Sequence, residues 1–190
     1  MLREVLVVGV SVGRDLIIAL QRRCARVAVG ASTVRGQGAP GLVAAAREHL
    51  HLIDLAKFGV SRPALVRTRL DVATRRLMAA LPARGRSWGI ARKVLNIFLR
   101  DALYTVYLRE KFRLDRAESL FEVPLDAVTV KALRRECARG FLPKWRGVKR
   151  LTPEESRVFQ SAARELAASR GVSRVHLDAF WWGIRDVEGS

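Results

Sequence analysis

The sequence predicts a mostly or wholly α-helical protein, folded as a single domain of 190 residues. Three observations carry this reading. Apolar residues recur at three- and four-residue spacing in one segment after another, the period of a helix packed on one face. Proline or a small polar residue stands ahead of several of these segments, where a helix begins. Alternating β-type patterning is nearly absent: only Val5–Val10 suits a short N-terminal strand, and it suits the first turns of a helix equally well.

Taken in order, Leu16, Ile17, Leu20, Ala25 and Val27 mark a helix over Asp15–Val29. Residues 30–41, rich in glycine with one proline, mark a loop that closes an N-terminal element of about 30 residues. A helix starts at Pro40 and runs through LVAAAREHLHLIDL, and Pro63 opens another that LPARGRS ends from Leu81. Residues 87–112 carry apolar side chains at 94, 95, 98, 99, 102, 103, 106 and 107, which predicts one uninterrupted helix. Leu125–Arg139 is a further helix that stops at Gly140. Thr152-Pro153-Glu154-Glu155 forms a capping box with proline at the first helical position, launching a helix to Ala168. Ser173–Asp186 closes the chain as a last helix.

Composition narrows the function. Lys and Arg number 35 against 18 Asp and Glu, a formal charge of +17, while 49% of the residues are apolar. That apolar share builds a core and excludes a disordered basic tail. A folded domain this basic faces a polyanion, nucleic acid before anionic membrane. Residues 62–112 hold twelve Lys/Arg against three acids, so the strongest field lies there. Cys24 and Cys137 make no metal or iron–sulfur spacing, and His49, His51 and His176 are too scattered for zinc, so no cofactor is expected. The apolar start is interrupted by Glu4, Arg14 and Asp15, which suits neither a signal peptide nor a membrane span and points to the cytoplasm, beside the nucleoid.

Two segments carry chemistry. In the first, Trp88-Gly89-Ile90-Ala91-Arg92-Lys93-Val94-Leu95-Asn96, a glycine ahead of a helix permits close backbone approach, and helix-start amides beside basic side chains suit a phosphate. In the second, Glu122-Val123-Pro124-Leu125-Asp126-Ala127-Val128-Thr129, a proline fixes the entry to a helix whose first turn holds a carboxylate. Together they resemble the helix-hairpin-helix DNA glycosylases, the superfamily of endonuclease III and 8-oxoguanine glycosylase. Gly89 to Asn96 follow that family's Gly-hydrophobic-Gly-Arg-Lys-x-x-Asn hairpin with Ala91 at the second glycine, and Val123-Pro124-Leu125-Asp126 follow its hydrophobic-Pro-hydrophobic-Asp segment. The resemblance implies a base-excising enzyme. Lys93 is then the nucleophile toward the sugar, and Asp126 stabilises cationic sugar character or activates the attacking group. Gly89, Ala91, Arg92 and Asn96 grip DNA in that scheme.

The residue types suit such chemistry on their own terms. Breaking an N-glycosidic bond builds positive charge on the sugar, which a nearby carboxylate stabilises. A lysine attacks as the neutral amine, a form that cationic neighbours such as Arg92 and Arg100 favour. A flipped base needs an apolar or aromatic pocket, for which Trp88, Trp145 and Trp181 are candidates and Gln37 a polar wedge. The run 142–150 sets Lys144, Arg146 and Lys149 around Trp145, an interleaving suited to DNA, and Arg35 adds a cation in the glycine loop. Asp178 and His176 are reserve catalytic groups, although residues two apart on a helix face different ways. Gly9-Val10-Ser11-Val12-Gly13 matches a hydrolase nucleophile elbow, but the sheet which that site needs is missing from the pattern. The expectation is a DNA glycosylase acting on double-stranded DNA that carries a damaged or modified base, in repair or phage defence. The alternatives are a non-catalytic helical module gripping phosphates and a basic membrane-surface protein, the latter disfavoured because the charge is not confined to one amphipathic helix.

Overall fold

The computed structural model describes residues 13–30, 40–137 and 140–182. Across them the chain is all-α. Its helices are α1 Arg14–Ala28, α2 Leu42–His51, α3 Pro63–Ala80, α4 Trp88–Tyr104, α5 Val106–Phe112, α6 Ala127–Glu136, α7 Pro153–Ser169 and α8 Leu177–Trp182, joined in part by short 3-10 turns. Among the described residues there is no strand, and no helix is long and apolar enough to cross a membrane. Val5–Val10, Ser11, Arg35 and Gln37 lie outside the described residues.

Helix α4 is the axis of the structure. Most of its 17 residues are buried, and α1 and α3 pack along it. Its apolar side chains Val94, Leu95, Phe98, Leu99 and Leu103 meet Ile17, Leu50, Leu70 and Leu77 in the main core. Burying a side chain of this size stabilises the fold by about 1.5–3 kcal/mol. A second apolar cluster gathers Val130 and Leu133 of α6, Phe159 of α7, and Leu177 and Trp181 of α8. Trp88 at the start of α4 packs against this second cluster, while Val148 packs against the first, so the first turn of α4 lies where the two meet.

Helix ends fasten neighbours together. The buried Gln21 amide of α1 donates to the carbonyls of His51 and Ile53, at 2.9 and 2.7 Å, where α2 ends. In return Arg47 of α2 donates to Val29 and Arg26 carbonyls at the end of α1, at 3.0 and 3.3 Å. Each helix thereby satisfies carbonyls that the other leaves open. Pro63 occupies the first turn of α3, and α7 begins with the expected capping box, its two bonds each 3.2 Å long.

The stripe over residues 87–112 is two helices, not one. Thr105 leaves the helical region (φ −84°, ψ 105°), ending α4 and capping α5. Its hydroxyl donates to the Asp101 carbonyl at 2.8 Å and lies 3.4 Å from the Cys24 thiol of α1. A threonine that bonds back four residues competes with the backbone for that carbonyl and favours a break. Leu125–Arg139 is likewise shorter at both ends, with Asp126 outside α6 as its cap and Glu136 as its last residue.

Gly89 sits inside the first turn of α4, not in the connection before it. A Cβ there would stand 2.0 Å from the Val148 carbonyl oxygen and 2.8 Å from the Leu151 Cβ. Glycine is thus required for α4 to lie against the 148–150 turn, a packing role in place of the expected DNA contact. Gly89→Ala should cost about 1–3 kcal/mol by overpacking. Urea unfolding checks this, and an unchanged midpoint would mean that the turn moves away freely.

Candidate active site between α4 and α6

Residues 121–126 lie outside any helix, between the 3-10 turn Leu114–Leu120 and the start of α6, and side chains from three places hold this connection. Arg174 donates to the Leu120 and Phe121 carbonyls, each at 2.9 Å. Glu122 receives a two-pronged bond from Arg92 of α4, at 2.8 and 3.0 Å, and a third from Asn96 at 3.2 Å. Gln160 of α7 pairs with the backbone of Val123 as a neighbouring strand would, accepting its N–H at 3.2 Å and donating to its carbonyl at 2.7 Å. Proline at 124 has no N–H to satisfy. The segment is therefore fixed before it reaches Asp126.

Asp126 caps α6 with one carboxylate oxygen and leaves the other to the site. Its Oδ1 accepts from Val128 and Thr129 N–H at 2.9 and 3.0 Å. Its Oδ2 lies 3.4 Å from Nζ of Lys93, and the two side chains are 15% and 11% exposed. The two residues singled out as catalytic are thus in contact and largely withdrawn from water.

The side chains around them divide the expectations sharply. Arg92 is 5% exposed, held by Glu122, by Thr74 Oγ1 at 2.9 Å and by Asp71 at 3.1 Å, with its guanidinium 5.3 Å from the Trp88 ring centre. Asn96 is 2% exposed and Ala91 is fully buried. None of Gly89, Ala91, Arg92 or Asn96 is available to a phosphate, because α4 is wrapped by the core at its first turns. Arg92 and Arg100 are also paired with carboxylates, Arg92 with Glu122 and Asp71, Arg100 with Asp101 and Asp178. Exposed cations on the 81–87 connection that leads into α4 are Arg84 and Arg86. They belong to the cationic stretch seen in the sequence, but nothing local set them apart from its other arginines.

One face of α4 continues the site. Lys93, Arg100 and Tyr104 follow at helical spacing. Arg100 lies between two carboxylates, Asp101 at 2.8 Å and Asp178 of α8. Asp178 is only 2% exposed, and burial pushes its carboxyl up, against the pull of Arg100 and with Asp101 and Asp126 adding to the rise. Burial likewise raises Asp101. Asp178 Oδ1 and Asp101 Oδ2 are buried with no hydrogen-bond partner among the described residues. His176 turns elsewhere: Nδ1 lies 2.9 Å from the Tyr104 hydroxyl and Nε2 3.1 Å from Glu118, so it does not act with Asp178.

The aromatic candidates separate as well. Trp181 is 7% exposed inside the second core, its indole N–H donating to Glu136 at 3.4 Å, which removes it from any open base pocket. Trp88 is partly buried beneath Arg92. Trp145 is half-buried, edge-on to Phe159 with ring centres 5.9 Å apart. Lys144 and Lys149 are exposed as expected, whereas Arg146 is drawn to Glu155 at 2.8 Å. Among the described residues no three His, Cys, Asp or Glu side chains are placed to hold a metal ion. Glu122, Gln160 and Arg174 were not recognised as site residues from sequence. Only the position of Glu122 directly before Val-Pro-Leu-Asp could have hinted at one of them.

The two buried acid groups predict opposite pH slopes. Burial alone would raise Glu122, but Arg92, with Arg174 and Asn96, overcomes it and holds the carboxyl below its ordinary 4.5. A lowered acid contributes stability that is present above 4.5 and is lost as pH falls through the folded value. Asp178 is raised above its ordinary 3.8, so its contribution is complete below that value and is lost as pH rises through the folded one. In urea unfolding across pH, Glu122→Gln should flatten the acid-side loss of stability, and Asp178→Asn should flatten the decline on going up from 3.8. Parallel curves for wild type and variant would refute the corresponding assignment. No protein-family model, curated protein or solved structure matches the chain.

Proposed function

We propose that the protein is a DNA glycosylase that excises a damaged or modified base, with Lys93 and Asp126 as its catalytic groups. The observation that supports this most is the contact between Lys93 Nζ and Asp126 Oδ2 at 3.4 Å, made by residues 33 positions apart on a chain of charge +17. A surface that only grips phosphate has little use for a carboxylate in its cationic field, whereas a glycosylase needs one.

The chemistry follows from the two oxygens of Asp126. Oδ1 is fixed by the helix cap, which aims Oδ2 at Lys93. Oδ2 takes a proton from the ammonium, and the neutral amine attacks C1′ of the nucleotide. A C–N bond forms as the bond from C1′ to the base breaks. The electron pair leaves with the base, which takes the proton that Oδ2 received, so Asp126 is again a carboxylate. Positive charge that develops on the sugar meets the Asp126 carboxylate in a partly desolvated site, where such stabilisation is strongest. Asp126 then relays a proton from the attached nitrogen to O4′, the C1′–O4′ bond breaks to open the sugar ring, and an iminium is left on Lys93. If Lys93 only holds the carboxylate and the DNA in place, Asp126 activates water instead and the product is an abasic site.

Excision is read on duplexes carrying a panel of modified bases, with alkali cleavage of the abasic product. Asp126→Asn keeps the cap, since asparagine caps as well as aspartate, but should lower the single-turnover rate by about 100-fold or more. Asp126→Ala should in addition lose about 1 kcal/mol of stability with the cap. A borohydride-trapped covalent complex that disappears in Lys93→Gln identifies the amine as nucleophile. Tight DNA binding with no excision across the panel, or full activity in Asp126→Asn, would overturn the reading.

A further inference from the structure

Beyond the Lys93–Asp126 contact, α6 carries a groove that the catalytic scheme does not use. Ala127, Val130, Lys131, Arg134 and Arg135 follow at helical spacing along one side of the helix, and Trp145 faces them from the 142–150 segment. They border an open groove of about 330 Å³, at the small end of the roughly 300–1,000 Å³ range of ligand sites. The lining has two characters. Ala127, Val130 and the Trp145 ring are apolar, and edge-on contact with Phe159 holds the indole in place. The remaining lining residues are cations. Lys131 and Arg135 have no carboxylate partner among the described residues, and Arg134 spends one donor on the Pro143 carbonyl at 2.6 Å. Lys144 is exposed beside Trp145.

A flat apolar slot with an aromatic wall and unneutralised cations at its rim matches one kind of ligand unit: a planar base attached to a phosphate. An acidic peptide would use the cations but leave the indole and the small-residue floor without purpose. A lipid surface would need a broader apolar face than this slot. Position adds to the argument, because the groove starts at Ala127, the residue after Asp126.

We infer that the α6–Trp145 groove binds a nucleotide of the strand that carries the excised base, next to the nucleotide held at Lys93 and Asp126. This rests on the glycosylase reading for the identity of the strand, but not for the groove's affinity for single-stranded DNA. The base stacks on Trp145, and Lys131, Arg134 and Arg135 take the flanking phosphates. Bases are told apart weakly here, since every base offers a π-face.

The test is fluorescence anisotropy with a labelled oligothymidylate at several salt concentrations, on full-length protein whose folding is checked by circular dichroism. Trp145→Ala should weaken binding by about tenfold, in line with the loss of one stacked base. Trp145→Phe should restore most of it, and it serves if the alanine variant fails to fold. Lys131→Gln with Arg135→Gln should lower the slope of log affinity against log salt by about 1.4, at roughly 0.7 for each phosphate contact in single strands. In the excision assay the same variants should raise the half-saturating protein concentration more than they lower the maximal rate. Unchanged affinity in folded Trp145→Ala, or an unchanged salt slope in the double variant, overturns the groove assignment while leaving excision untouched. Wild-type protein that shows these groove effects yet excises nothing overturns the glycosylase reading and leaves the groove.

Discussion

The bond between Arg92 and Glu122 is the constraint on which the rest of the site depends. Arg92 points from α4 into the protein and takes Glu122 in a two-pronged grip, with Asn96 adding a third bond and Thr74 occupying another guanidinium donor. Energetically such a pair is close to break-even, because taking both charges out of water cancels most of their attraction. Its effect lies in the alternatives it forbids. Either charge left alone in this place would cost about 3–5 kcal/mol, so residues 120–126 have one acceptable register against α4. Gln160 and Arg174 then fix the backbone on either side of Glu122. With the register set, Asp126 can land only beside Lys93.

This explains why neighbouring cations on α4 have opposite roles. Arg92 and Lys93 differ by one residue, about 100° around a helix. The planar guanidinium, with its fixed fork of donors, is spent on a carboxylate that must be held rigidly. The ammonium, a single movable charge, faces Asp126, the carboxylate to which we assign the chemistry. An exchange of the two would place a flexible amine in the clamp and a group that does not lose its proton in the site.

The sequence shows those parts of the fold that local chemistry decides. Pro63, Thr152 and Pro153 start helices through groups within one turn of themselves, and the structure begins α3 and α7 at those places. The break at Thr105 was hidden inside an unbroken apolar stripe, because the threonine's second neighbour, Cys24, comes from α1. Arg92 was misread for the same reason. Its charge and its position near a helix start suited a phosphate, and only Glu122, 30 residues away, shows where it points. Lys93 and Asp126 could be singled out because each lies in a short motif. Their contact is a tertiary fact that neither motif contains.

In the proposed reaction Asp126 joins the structural and chemical sides of the protein in one side chain. A helix cap and a catalytic carboxylate are usually weighed as rival explanations for an aspartate before a helix. In that proposal they need each other. A carboxylate with both oxygens free could rotate and would meet Lys93 in many orientations, which weakens any stabilisation of a developing charge. One with both oxygens bound to amides would have nothing left for Lys93. With Oδ1 on the amides of Val128 and Thr129 and Oδ2 toward Lys93, the cap supplies the orientation, and the second oxygen is the one to which the proposal gives the stabilising charge. The precision of the site is therefore inherited from α6, and α6 in turn is placed by the clamp at Glu122.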